Sequence, residues 1–352
     1  MITSTILRHG RLIAAVALGV LVLWSATAQA NQQSQFSDPV KQGEYLANIA
    51  GCIGCHTPVK ADLSFDTTRL YSGGRPFELG PLGVLFSRNL TSDVETGLGA
   101  WSDEEIKTAI RSGRSRDGHQ IFPIMPYHIY NNMAEADLDA IVAYLRTLPP
   151  IKNEIPRQQL VPEGSIPQLP IKQGIVAPSP SDTAARGRYL MTAVTPCTDC
   201  HTPVDPATSQ PILSQYLAGS QPFEGPWGTI YGGNITPDKA TGIGNWSDED
   251  LKRVITKGIR PDGRYVVLMP WEEYIHLTAE DLDAIIYYLR NEVQPVSRQV
   301  PGPALNPEFI RYAPEEVSRE RSLPVLPILA GALVIGGLLV VLLLRRRASK
   351  AG

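Results

Sequence analysis

The sequence is poor in cysteine, methionine and histidine, with 4, 5 and 6 of them in 352 residues. Four cysteines cannot staple a chain of this length, which excludes a disulfide scaffold. Basic charge is scarce in the body of the chain. Lys+Arg number 32 against 35 Asp+Glu, and six of the bases sit at the two ends: Arg8, Arg11, Arg345, Arg346, Arg347 and Lys350. The stretch 31–323 keeps 26 basic and 35 acidic residues, a net of −9. Affinity for phosphates comes from clustered Lys and Arg, so this acidic body excludes a nucleic-acid binder. The 30 Gly and 30 Pro are spread along the chain and do not make it disordered.

The ends carry their own patterns. Arg8 and Arg11 precede an apolar run, 12–24, and Ala28-Gln29-Ala30 follows. A charged start, a short apolar run and an Ala-x-Ala ending predict a secretory signal peptide over 1–30, with a mature chain beginning at Asn31. The stretch 324–344 is uncharged and stops at Arg345-Arg346-Arg347. That length predicts a transmembrane helix, and the arginines predict a cytoplasmic tail over 345–352. The expected product is an exported body on a single-pass anchor in the inner membrane, facing the extracytoplasmic side.

The body is duplicated. Cys52-Ile53-Gly54-Cys55-His56-Thr57-Pro58 returns as Cys197-Thr198-Asp199-Cys200-His201-Thr202-Pro203, a shift of 145. Asn89-Leu90-Thr91-Ser92-Asp93 returns as Asn234-Ile235-Thr236-Pro237-Asp238 at the same shift. Thr96-Gly97-Leu98-Gly99-Ala100-Trp101-Ser102 returns as Thr241-Gly242-Ile243-Gly244-Asn245-Trp246-Ser247. Met125-Pro126 matches Met269-Pro270 after a one-residue deletion. The predicted domains are 31–150 and 181–294, joined by a Pro-rich linker over 151–180 and followed by a Pro-rich stalk over 295–323. Proline fixes the backbone, so both Pro-rich segments are expected to be extended rather than sheet-forming.

Each copy reads as mostly helix. A first helix is predicted near 39–50 and 182–193. Ser102 followed by Glu105 forms a capping box that opens another, and Leu138, Ile141, Val142 and Leu145 stripe a last one, mirrored by Leu282, Ile285, Ile286 and Leu289. The long Gly-rich segments 59–100 and 204–245 are expected to wrap something other than protein.

All four cysteines lie in two Cys-x-x-Cys-His motifs. The heme c reading adds both thiols of a motif to one heme and turns the adjacent His beneath it, giving two hemes, at Cys52, Cys55, His56 and at Cys197, Cys200, His201. A zinc site would gather the four thiols into one tetrahedron, yet each motif belongs to its own copy and brings its own His. A redox dithiol would need a strand–helix setting that helical repeats lack. For the sixth iron ligand, Met125 and Met269 match each other and precede proline, whereas Met133 and Met191 have no counterpart. A thioether there raises the potential relative to a second His. His119, His128 and His276 are unrepeated, and a bis-His heme is the alternative. Asn89, Asn234, Trp101 and Trp246 are either turn and core residues or donors to the heme acid groups.

At these motifs the chain resembles class I cytochromes c, and more narrowly the cytochrome c subunits of membrane-bound alcohol, sugar and gluconate dehydrogenases. The resemblance covers about 38–150 and 181–294. It implies a mainly α fold, two tandem cytochrome c domains plus the C-terminal transmembrane helix, and iron ligands His56, Met125, His201 and Met269. Those subunits usually carry three hemes, whereas this chain has two motifs. The expected function is single-electron transfer, not catalysis, from a dehydrogenase or quinol-oxidising partner to a soluble cytochrome or oxidase, with the lipid bilayer as a further partner. The alternatives are a diheme enzyme of peroxidase or thiosulfate-oxidising type and an electron-transfer subunit of a larger respiratory or photosynthetic complex.

Overall fold

The computed structural model describes residues 36–60, 64–157, 160–161 and 165–314. In the first half the helices are α1 (Pro39–Ile49), α2 (Cys52–His56), α3 (Asp103–Ser112), α4 (Tyr127–Tyr130) and α5 (Glu135–Thr147). The second half repeats them as α6 (Thr183–Tyr189), α7 (Cys197–His201), α8 (Asp248–Lys257), α9 (Trp271–Tyr274) and α10 (Ala279–Asn291).

Local chemistry sets the helix ends. Asp38 caps α1 by accepting from Val40 N, and Pro39 at the first turn removes a donor that has no helical partner. The capping box of Ser102 and Glu105 opens α3, and Ser247 with Asp250 opens α8 in the same way. Both helices end on a left-handed glycine, Gly113 and Gly258.

The first and last helices of each half cross in close contact. A Cβ on Gly43 would lie 1.8 Å from Ala140 O, and one on Gly187 would lie 2.0 Å from Ala284 O. Only glycine permits these crossings, which seat α1 on α5 and α6 on α10. The stripe residues Leu138, Ile141, Leu282 and Ile285 then enter one buried cluster shared by both halves.

The halves are joined by a reciprocal buried network. Tyr45 OH of α1 donates to Asp281 Oδ2 of α10 at 2.5 Å, and Tyr189 OH of α6 donates to Asp137 Oδ2 of α5 at 2.5 Å. Each carboxylate also has a partner in its own half: Gln42 Nε2 on Asp137 at 2.6 Å, and Arg186 on both oxygens of Asp281 at 2.8 and 2.7 Å.

Three features depart from the sequence reading. The segment after α6 is a π turn, Leu190–Val194. Tyr45 stands seven residues before Cys52 but Tyr189 stands eight before Cys197, and the wider turn absorbs the extra residue. The Gly-rich segments contain short hairpins, β1 (Pro76–Glu78) with β2 (Val84–Phe86) and β3 (Pro222–Gly225) with β4 (Gly228–Tyr231). The second Pro-rich segment contributes β5 (Ala304–Leu305), which pairs with β4 and makes a three-stranded sheet.

The expected fold class needs one correction. No helix among the described residues is long and apolar enough to cross a membrane. The longest, α5 and α10, have 13 residues each, against roughly 20 for a span. The stretches 324–344 and 1–30, on which the spanning helix and the signal peptide were expected, lie outside the described residues.

Candidate functional site

Each Cys-x-x-Cys-His motif forms a five-residue helix, α2 or α7. A three-residue separation puts both cysteines on one side of such a turn and the histidine at its end. The loop that follows holds the histidine in place. His56 Nδ1 donates to Arg88 O and His201 Nδ1 to Gly233 O, both at 2.7 Å. With Nδ1 engaged as donor, Nε2 keeps its lone pair for a metal. Burial lowers the pKa of both imidazoles, which favours the neutral, ligating form. The same loops grip the main chain: Gly73 N donates to His56 O at 2.7 Å, and Gly219 N to His201 O at 2.8 Å. The Thr after each motif is buried and accepts from the next turn, Thr57 from Tyr71 N and Thr202 from Leu217 N.

In the second half the sequence-predicted residues meet around a single cavity. It has a volume of 540 Å³ and is lined by Cys197, Cys200, His201 and Met269, with Trp246 and Ile243 among its walls. That is within the roughly 300–1,000 Å³ typical of cofactor sites. Met269 comes from the turn before α9, where Trp271 N donates to its carbonyl at 2.9 Å. Met125 has the equivalent backbone place before α4, with Tyr127 N on its carbonyl at 2.8 Å. Met133 and Met191 are sealed in the core at 0% and 1% exposure, which leaves Met125 and Met269 as the accessible thioethers among the described residues.

The chemistry of the lining fits a heme. All four cysteines are unpaired. Burial pushes the thiols of Cys52 and Cys200 up to about 12, so thiolate chemistry is suppressed at both, whereas an uncharged thioether suits the setting. Among the described residues no three His, Cys, Asp or Glu side chains gather as metal ligands, so the four cysteines do not form a zinc tetrahedron. One polar atom in the cavity lacks a partner. Arg260 Nε is buried without a hydrogen bond among the described residues, its nearest carboxylate oxygen, Asp262 Oδ2, being 3.7 Å away. Arg260, Arg264 and Arg311 all line this cavity, and a heme brings acid groups that such cations can meet.

The repeated asparagines have a structural role. Asn89 Nδ2 donates to Thr96 Oγ1 and Ile151 O, while its Oδ1 accepts from Thr91 N and Oγ1. Asn234 does the same with Thr241, Val296 and Thr236. Each asparagine therefore staples its loop to the Pro-rich segment that follows its own half. Both Trp101 and Trp246 pack on the core, and Trp246 also lines the cavity with Arg260 at 5.6 Å from its ring. His119 pairs with Asp117, and His128 Nε2 meets Asp199 Oδ1 at 2.8 Å.

A family model for cytochrome c matches residues 40–149. The gluconate 2-dehydrogenase cytochrome c subunit of Pantoea cypripedii is 32% identical over 298 residues, covering 77% of this chain and 64% of the relative. The fructose dehydrogenase cytochrome subunit of Gluconobacter japonicus is 30% identical over 310 residues, covering 81% of this chain and 60% of the relative. A diheme cytochrome c-type protein of Cereibacter sphaeroides is 30% identical over 233 residues, covering 63% of this chain and 74% of the relative. The chain belongs to the cytochrome c family.

Covalently bound heme c is the cofactor of that family and electron transfer its role. The dehydrogenase relatives are named as the cytochrome subunits of their enzymes. The chain spans less than two thirds of their length. Sequence reading missed Arg260 and Arg264 because the matching positions of the first half hold Ser115 and His119, so the repeat gave no signal there.

Proposed function

We propose that this cytochrome is a diheme carrier, with one heme c in each half, that moves single electrons from a dehydrogenase to a downstream acceptor. Cys52 and Cys55 hold one heme and Cys197 and Cys200 the other. His56 and Met125 ligate the first iron, His201 and Met269 the second. The observation that carries this reading is the twice-built histidine, each with Nδ1 tied to a backbone carbonyl and Nε2 left to ligate. Bound heme supplies a one-electron iron couple. The protein's own contribution is to orient each imidazole, to line the cavity with apolar side chains that exclude water, and to set Arg260, Arg264 and Arg311 against negative charge. An iron held by His and Met has no open position for a substrate, which favours a carrier over a peroxidase-type enzyme.

The names of the relatives favour a dehydrogenase catalytic subunit as donor. A soluble cytochrome or an oxidase is the acceptor class that the acidic body suits. The signal-peptide pattern of 1–30 places the heme domains on the extracytoplasmic side, with 31–150 and 181–294 as the two domains.

Intact-mass measurement of the exported protein should give two covalent hemes and an amino terminus at Asn31. Met269→Ala and Met125→Ala should each open one iron to carbon monoxide and change the reduced spectrum. A single heme per chain, or two unaltered spectra, refutes the assignment.

A further inference from the structure

Each heme-attachment helix packs against the short helix of the other half, and the two contacts differ. At α7 the x-x pair includes Asp199, which meets His128 of α4. At α2 the corresponding residue is Gly54, and the space its side chain would take is filled by Glu273 of α9. A Cβ on Gly54 would lie 1.7 Å from Glu273 Oε1 and 2.8 Å from its Cδ. The matching residue of the first half, at a shift of 144, is Ile129, so this carboxyl exists on one side only.

Glu273 is 6% exposed, and its Oε2 has no hydrogen-bond partner among the described residues. A buried carboxyl in that position is costly when charged. Arg75, the one cation acting on it among the described residues, donates its Nη1 to Gly54 O at 2.5 Å. Glu272, on the same helix, adds a like charge. Cys55, Tyr130 and Tyr274 also face the carboxyl, and among the described residues helices α1 and α8, which pack on α9, add no charged group that acts on it. Burial first, with the charge of Glu272 adding to it, pushes the Glu273 carboxyl up to about 7, against the opposing pull of its own backbone N–H and then of Arg75.

We propose that Glu273 is a proton-coupling residue for the heme held by Cys52 and Cys55, so that electron uptake at that heme is accompanied by proton uptake at this carboxyl. The proposal rests on the diheme reading above. The balance is simple. The site gains one electron from the donor while the Glu273 carboxylate gains one proton from water, and both leave when the acceptor takes the electron. The sign follows from electrostatics. An added electron makes the site more negative and favours the neutral acid, and deprotonation at higher pH in turn stabilises the oxidised state. The potential of one couple therefore falls as pH rises through neutrality.

The test is a spectroelectrochemical titration of the two-heme protein at a series of values from about pH 6 to about pH 8, the window flanking the folded carboxyl. One couple should show a falling potential and the other a much flatter one. Glu273→Gln should abolish the slope, Glu273→Asp should keep it with a shifted midpoint, and Glu272→Gln should keep it. Two flat couples in the unaltered protein, or a slope that survives in Glu273→Gln, overturns the proposal. The diheme reading is judged separately by the heme count, which the slope does not affect. If Glu273→Gln does not load both hemes, an infrared redox-difference spectrum of the unaltered protein decides the matter. A carboxylic C=O band gained on reduction supports the coupling, and its absence refutes it.

Discussion

Asp281 holds the joint between the halves. It accepts from Tyr45 across the interface and from Nε and Nη2 of Arg186 within its own half, and it is 1% exposed. Asp281→Ala leaves the buried Arg186 charge uncompensated, and breaking a buried pair in this way costs about 3–5 kcal/mol. Tyr45→Phe removes one hydrogen bond and should cost about 1 kcal/mol. Denaturant unfolding monitored by circular dichroism measures both, and equal losses would show that the charge at Arg186 is already satisfied elsewhere. The same scale shows why some residues were legible in the sequence and others were not. Cysteine and histidine announce themselves because their spacing is local. Glu273 gains its meaning from the attachment helix of the other half, and Arg260 from the cavity it lines, and no local pattern marks such a residue.

At the level of elements the duplication does most of the work. Capping boxes, left-handed closing glycines and the last-helix stripes are all readable because each depends on residues three or four apart. The hairpins were not readable, since strands of three or four residues such as Pro76–Glu78 and Gly228–Tyr231 are too short to display an alternating pattern. The π turn accompanies a step in the repeat shift from 144 at Tyr45 and Tyr189 to 145 at Cys52 and Cys197, a step that the comparison of motifs from Cys52 onward does not reach. The Pro-rich segment after α10 was expected to be extended rather than sheet-forming. It instead lends β5 to the sheet, and Ala313 N donates to Gly263 O at 2.9 Å. Ser102→Ala and Ser247→Ala should each cost about 1 kcal/mol by opening a capping box. Thermal melts should show a loss from either substitution, and no change from either would mean that α3 and α8 are held by packing alone.

Over the whole molecule, charge decides the encounter. The body carries a net −9 before any heme acid groups are counted. A basic acceptor should therefore associate quickly at low salt and more slowly as ionic strength rises, because screening shortens the range of attraction. Stopped-flow electron transfer to a basic soluble cytochrome at several salt concentrations measures this. A flat dependence would point to a partner already bound.

The crossed tyrosines have a consequence for the history of the chain. Tyr45 reaches the last helix of the second half, and Tyr189 reaches the last helix of the first. Each half thus presents both faces of a self-complementary surface, the arrangement of an isologous dimer. Two separate copies would find each other only at sufficient concentration, whereas the tether at 151–180 makes their meeting intramolecular. Fusion also releases the two copies from symmetry. A single gene for a homodimer could not place glycine at one attachment turn and aspartate at the other, nor set Glu273 against Ile129. Once both copies are encoded together, each can drift on its own, and a paired protein acquires two unequal ends.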